Sequence, residues 1–201
     1  LYSNKISVIC AFANSYYPAN VCYYNSNILE KHIDLGEKDL LKETNNLCAH
    51  YGIKFIPYLA SIWAGKDVYL KNKNWAQIKK NGDITQWDEE FNSVAMCFNS
   101  EYINYFFKIV DEIVELYDID GLYFDELSFQ SWCKCENCNT LFRKEYGIDI
   151  PSNTDDKIIF KRFLDWRYRN INEIKSKIYK KFKKENYCIF FQNAFPLADF
   201  K

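Results

Sequence analysis

Tyr117-Asp-Ile-Asp-Gly-Leu-Tyr-Phe-Asp-Glu-Leu-Ser-Phe-Gln-Ser-Trp-Cys-Lys-Cys-Glu-Asn-Cys138 is the stretch whose reading decides the fold. Gly121 opens a short apolar run, Leu122 to Phe124, and the carboxylates Asp125 and Glu126 follow at once. A buried strand that ends in carboxylates is how a parallel barrel presents reactive groups at its C-terminal face. Seven residues beyond Glu126 begins Cys133-x-Cys135-x-x-Cys138, a thiolate cluster with metal-ligand spacing.

Outward from this stretch, strand and helix patterns alternate. Residues 5–13 read as a buried strand through Ile6, Val8, Ile9 and Phe12. Residues 37–51 read as a helix with Leu40, Leu41, Leu47 and Cys48 on one face and Gly52 as its C-terminal stop. Residues 53–59 read as the next strand, with looser pairing expected at Pro57, which has no N–H to donate. Residues 100–117 form a strong amphipathic pattern, and 122–124 give the third strand. A short helix is expected over 140–146, closed by Gly147. Thr154 reads as the cap of a long helix with the stripe Leu164, Tyr168, Ile171, Ile178 and Phe182, and 187–191 as the fourth strand. The long connections at 14–34 and after residue 59 are aromatic, which argues for function rather than disorder.

Strands alternating with helices imply parallel β/α units. Four such units make half a (β/α)8 barrel, so the fold class is α/β, a partial TIM barrel. With 201 residues the chain reads as a single incomplete domain, residues 1–201, of a longer protein. No strand is followed by a glycine-rich phosphate loop. A net charge of −1 provides no field for nucleic acid, and the lysines at 175–184 suit a helix end. No apolar run reaches membrane-spanning length. Eight cysteines, single outside the cluster, fit a reduced cytoplasmic protein with one metal site; a secreted protein with its signal upstream is the alternative.

The chain resembles the catalytic barrels of poorly characterised glycoside hydrolase-like families. The residues that carry the likeness are Asp120-Gly-Leu-Tyr-Phe-Asp125, the cysteines at 133–138, Phe142-Arg-Lys-Glu-Tyr-Gly147, Asp39-Leu-Leu41 before Gly52-Ile-Lys54, and Cys97-Phe-Asn-Ser-Glu-Tyr102. The cysteine part is similar to family 42 β-galactosidases, where three such cysteines and one from a Cys-x-Asn-Ser segment bind a structural zinc. That likeness implies Cys97, Cys133, Cys135 and Cys138 as ligands. It also implies that the four strands are about strands two to five of a barrel.

Glycoside hydrolysis needs two carboxylates across the scissile bond. In fucosidase-like and α-galactosidase-like barrels the strand-four Asp is the nucleophile, which implies that role for Asp125 and a retaining reaction. In family 42 an Asn-Glu pair ends that strand with Glu as acid/base, which implies Glu126, although Asp125 replaces the Asn. The bland reading of both is capping of the next helix. No other strand expected here ends in an acid, and Asp199 falls late, in loop. Among the aromatics, Tyr16, Tyr17, Tyr58, Trp63 and Trp132 fall where rings can stack on sugars, and Asn99 and Asn193 can meet sugar hydroxyls; packing or capping is the competing reading for each. Trp75, Trp87 and Trp166 read as packing. The expected partner is a carbohydrate, and the alternative function is a non-catalytic carbohydrate-binding barrel.

Overall fold

The computed structural model describes residues 6–16, 19–86 and 92–192, with the side chains of Tyr16, Ala19 and Asn20 left aside. Tyr17, Trp87, Asn193 and Asp199 therefore lie outside the described residues, as does the Tyr16 ring. In chain order the elements are β1 (Val8–Phe12), β2 (Asn14–Tyr16), β3 (Ala19–Cys22), β4 (Glu30–Lys31), α1 (Leu40–Tyr51), β5 (Lys54–Ala60), β6 (Trp63–Gly65), α2 (Lys66–Lys71), β7 (Ser93–Ala95), α3 (Tyr102–Leu116), β8 (Gly121–Asp125), α4 (Glu136–Tyr146), α5 (Lys157–Phe182) and β9 (Cys188–Phe191).

The main sheet runs β1-β5-β8-β9, every pairing parallel, in chain order. The register sets Phe12 against Tyr58, Tyr58 against Tyr123 and Tyr123 against Phe190. One row of four rings thus crosses the sheet, with centroid spacings of 4.4, 5.1 and 6.1 Å. The opposite face carries Phe55, Leu59, Leu122 and Phe124, all at most 1% exposed. Phe124 meets Phe106 of α3 at 5.9 Å. This is the layering of a (β/α)8 barrel, helices outside and a ring-lined inner face, over four of its units.

Two residues explain how the central strand begins. The Asp120 carboxylate accepts from the Phe55 amide at 2.9 Å, and the Asp120 amide donates to the Phe55 carbonyl at 2.9 Å. The β5–β8 ladder then starts only at Tyr58, one residue past Pro57, as expected for a residue with no N–H. At Gly121 a side chain is excluded: an added Cβ would stand 2.1 Å from the Cys188 carbonyl oxygen.

Several local expectations shift. The run at 5–13 forms an edge strand instead of a buried one, with Val8 43% and Phe12 47% exposed, because among the described residues β5 is its only partner in that sheet. Residues 14–34 hold a three-stranded sheet, β2-β3-β4, and Tyr24 within it is fully buried. The cap of α5 is Asp156, not Thr154; its carboxylate takes the Ile158 and Ile159 amides. The buried stripe of α5 is Phe163, Trp166, Asn170, Ile174, Ile178 and Phe182, so Tyr168 faces solvent. The α4 helix starts at Glu136, four residues ahead of the expected Thr140, and ends on Gly147 at φ 73°.

Candidate functional site

The C-terminal ends of β1, β5 and β8 share one rim. Asp125 closes β8 there, in register with Ala60, and is 6% exposed. Its Oδ2 accepts the Tyr58 hydroxyl, and its Oδ1 accepts the Glu126 amide at 2.9 Å. Its carbonyl accepts the Ser61 amide at 3.1 Å. On the same rim the Asn14 side chain takes the Ala60 amide and donates to the Ala60 carbonyl, both at 3.1 Å, which fixes the end of β5. Next to Asp125, Tyr123 donates its hydroxyl to Gln192 beyond β9.

Glu126 turns the chain through the left-handed region at φ 52°, a costly conformation for a residue with a Cβ. Its Oε2 accepts the indole N–H of Trp63 from β6. Burial raises its pKa above the ordinary carboxylate value; the Trp63 hydrogen bond opposes this, and the neighbouring charge of Asp125 reinforces it. An upward shift is the direction that suits a general acid. The Trp63 ring is 7% exposed, so its polar edge, more than its face, is what the site receives.

The second feature lies in its own aromatic core behind the rim. The sulfurs of Cys97, Cys133, Cys135 and Cys138 fall within 4.8 Å of one another, and all four residues are buried. Individual separations are 3.4 Å (Cys97–Cys138), 3.7 Å (Cys133–Cys135) and 3.6 Å (Cys133–Cys138). Tetrahedral zinc with bonds of about 2.3 Å sets its sulfurs about 3.8 Å apart, so the four thiols fit the ion. An ion held by all four cysteines would have no position left for substrate. Cys135 is held toward thiolate by hydrogen bonds from Cys133 first, then Cys138 and Cys97, while the thiols of Cys97 and Cys138 are pushed up.

The remaining expected site residues divide between these two features. Tyr58 and Trp63 come to the carboxylates. Trp132 lies in the aromatic core beside the cysteines, 1% exposed, stacked on Phe163 at 5.1 Å with its N–H on the Pro151 carbonyl. Asn99 lies at the thiol cluster too, 3.2 Å from Cys138 Sγ. Tyr17 and Asn193 fall outside the described residues.

Sequence reasoning missed the two side chains that join these features. Gln77 is 1% exposed and donates to the carbonyls of Met96 (3.1 Å) and Ser128 (3.2 Å), while its Oε1 accepts the Gln130 amide at 2.9 Å. Arg167 of α5 donates to the carbonyls of Ser131 (2.7 Å) and Phe129 (3.0 Å), with its guanidinium over the Phe129 ring. Between them they hold the loop that runs from Glu126 to Cys133. A charged side chain next to Trp166 on the buried stripe was the one available hint of Arg167; a lone Gln77 gave none.

The model of one family, described as hypothetical glycosyl hydrolase 6, matches residues 4–126, more than half of the chain. The chain belongs to that family. The match takes in β1, β5 and β8 and ends on Glu126, so this hydrolase family's pattern covers the rim and both carboxylates, while most of the thiol cluster follows it.

Solved structures show the same fold at low identity. The α-L-fucosidase isoenzyme 2 of Paenibacillus thiaminolyticus superposes with a TM-score of 0.65 at 20% identity, over 93% of this chain and 26% of that one. A β-galactosidase of Bacillus circulans gives 0.62 at 12%, over 92% and 32%. A hypothetical protein of Ruminiclostridium thermocellum gives 0.58 at 13%, over 95% and 84%. The chain thus spans about a quarter of the fucosidase and a third of the β-galactosidase. No curated protein sequence matches. Among the described residues no helix is long and apolar enough to cross a membrane.

Proposed function

We propose that this chain supplies four strands of a larger glycoside hydrolase barrel that cleaves O-glycosidic bonds with retention, Asp125 acting as nucleophile. The observation that carries this reading is a buried carboxylate at the C-terminal end of an inner parallel strand, oriented through both oxygens by Tyr58 and the Glu126 amide. Attack by Asp125 on the anomeric carbon expels the aglycone oxygen, which takes a proton from the acid. Water then releases the sugar from the enzyme ester. Tyr58 keeps the nucleophile in its attacking rotamer. The open ring row from Phe12 to Phe190 supports the larger barrel, since in a closed one that row packs against the strands opposite.

One observation favours a second assignment. Glu126 is raised by burial and bonded to Trp63, as suits an acid/base at the strand-four position. The two assignments separate in the intact parent, assayed on aryl fucosides and galactosides. If Asp125 is the nucleophile, Asp125→Asn lowers turnover by several orders of magnitude and azide restores it as a glycosyl azide of inverted configuration. If Glu126 is the acid, Glu126→Gln spares substrates with activated leaving groups and the azide product keeps its configuration. A parent that binds sugars but cleaves none would instead be a carbohydrate-binding barrel.

A further inference from the structure

Asn99 follows Cys97 by two residues, and its Nδ2 donates to Cys138 Sγ at 3.2 Å and to Asn170 Oδ1 at 2.9 Å. Both neighbours accept, so only the nitrogen of the Asn99 amide suits that side, and its two hydrogens are used together. Asn170 is 9% exposed on the otherwise apolar stripe of α5, between Trp166 and Ile174. A polar side chain at such a position is tolerated when it is hydrogen-bonded. Its carbonyl aims the Asn99 amide at the sulfur.

Four thiolates around a divalent ion leave a net charge of about −2, and donors to the sulfurs offset that excess. From these contacts we infer that Asn99 and Asn170 are positioning residues of the metal centre: a two-amide relay that holds an N–H on the Cys138 thiolate, raises zinc affinity and ties α5 to the metal. The relay rests on the four thiols binding zinc and is independent of any sugar chemistry.

The test is chelator competition for zinc in the intact protein, with cobalt substitution as a spectroscopic check. Asn99→Ala and the isosteric Asn99→Asp should lower zinc affinity roughly 10–100-fold. The sulfur-to-cobalt charge-transfer band should move to longer wavelength, since a thiolate stripped of its donor is a better electron source. Asn170→Ala should produce a smaller loss. Because the two amides act in series, the double variant Asn99→Ala/Asn170→Ala should lose no more than Asn99→Ala alone. Variants that stay within about twofold of wild type with an unmoved band, or losses that add, overturn the relay. A wild-type protein that takes up no zinc removes the metal reading itself and the relay with it.

Discussion

Replacing Gln77 tests whether the loop after β8 is held from the segment between α2 and β7. In Gln77→Leu three backbone groups lose their partner at once: the carbonyls of Met96 and Ser128 and the amide of Gln130. A backbone group left unpaired in the interior costs about 1–3 kcal/mol, so three would cost roughly 3–9 kcal/mol if all were dry; with Met96 buried and Ser128 and Gln130 half-buried, a loss of roughly 2–5 kcal/mol is expected, against a typical total stability of about 5–15 kcal/mol. Gln77→Glu is the sharper version. Its Oε1 can still accept from Gln130, but the other oxygen now faces two carbonyls and must carry a proton to meet even one of them. The folded state therefore raises that carboxyl above its unfolded value. Such a group's stability is present below the unfolded pKa and is lost as pH rises through the folded one. Urea denaturation of the zinc-loaded protein should find Gln77→Glu closer to wild type near about pH 5 than near about pH 8, while Gln77→Leu is weakened alike at both. A Gln77→Glu protein with no pH-dependent deficit, or a Gln77→Leu loss below about 1 kcal/mol, would show that the glutamine does not staple the loop.

Gly121→Ala forces a Cβ to within 2.1 Å of the Cys188 carbonyl, so β9 must shift off β8; a loss above about 2 kcal/mol is expected, and hydrogen exchange should show it first at Leu122 and Ile189. Cys135→Ser should release the metal and lower thermal stability, with zinc analysis giving about one ion per chain in the wild type and little in the variant. Glu126, its pKa raised by burial and by Asp125, weakens the fold as pH climbs through that pKa; Glu126→Gln should therefore stabilise the protein at neutral pH and lose that advantage in acid, read as the difference in Tm across pH. Trp63→Phe removes the hydrogen bond that lowers the pKa of this group, so that pKa, followed by NMR titration, should rise further.

What the sequence made legible was whatever two nearby residues specify together. The run Gly121 to Asp125 gave both a strand and a carboxylate at its end, and the spacing of Cys133, Cys135 and Cys138 pointed to thiols that the fold brings together with Cys97. The phase of α5 was misread because its aromatics, charges and tyrosines permit two stripes one residue apart; contact with the cysteine core selects Phe163, Trp166 and Asn170. Trp132 fell after a strand, where a ring can meet a sugar, yet Phe160 and Phe163 of α5 enclose it. The contacts at the carboxylates join residues far apart in sequence, Tyr58 to Asp125 and Trp63 to Glu126, and only the parallel register brings them together.

One loop joins the rim to the four-cysteine cluster. The loop from Glu126 to Cys133 starts and ends on left-handed residues, at φ 52° and 50°. Each costs on the order of 1 kcal/mol or more, and such a backbone persists only where its surroundings over-determine it. At the Cys133 end the four thiols and the Trp132 stack supply that constraint. In the middle Gln77 and Arg167 supply it through backbone carbonyls and one amide. At the Glu126 end there is the Trp63 indole and the bond to Asp125. Strain at the carboxylate end is thus borne partly by the cysteine end, through a loop that has few routes to relax. Loss of the metal should accordingly loosen Glu126 before it disturbs Asp125, whose carbonyl is bonded to Ser61 and whose strand lies between β5 and β9.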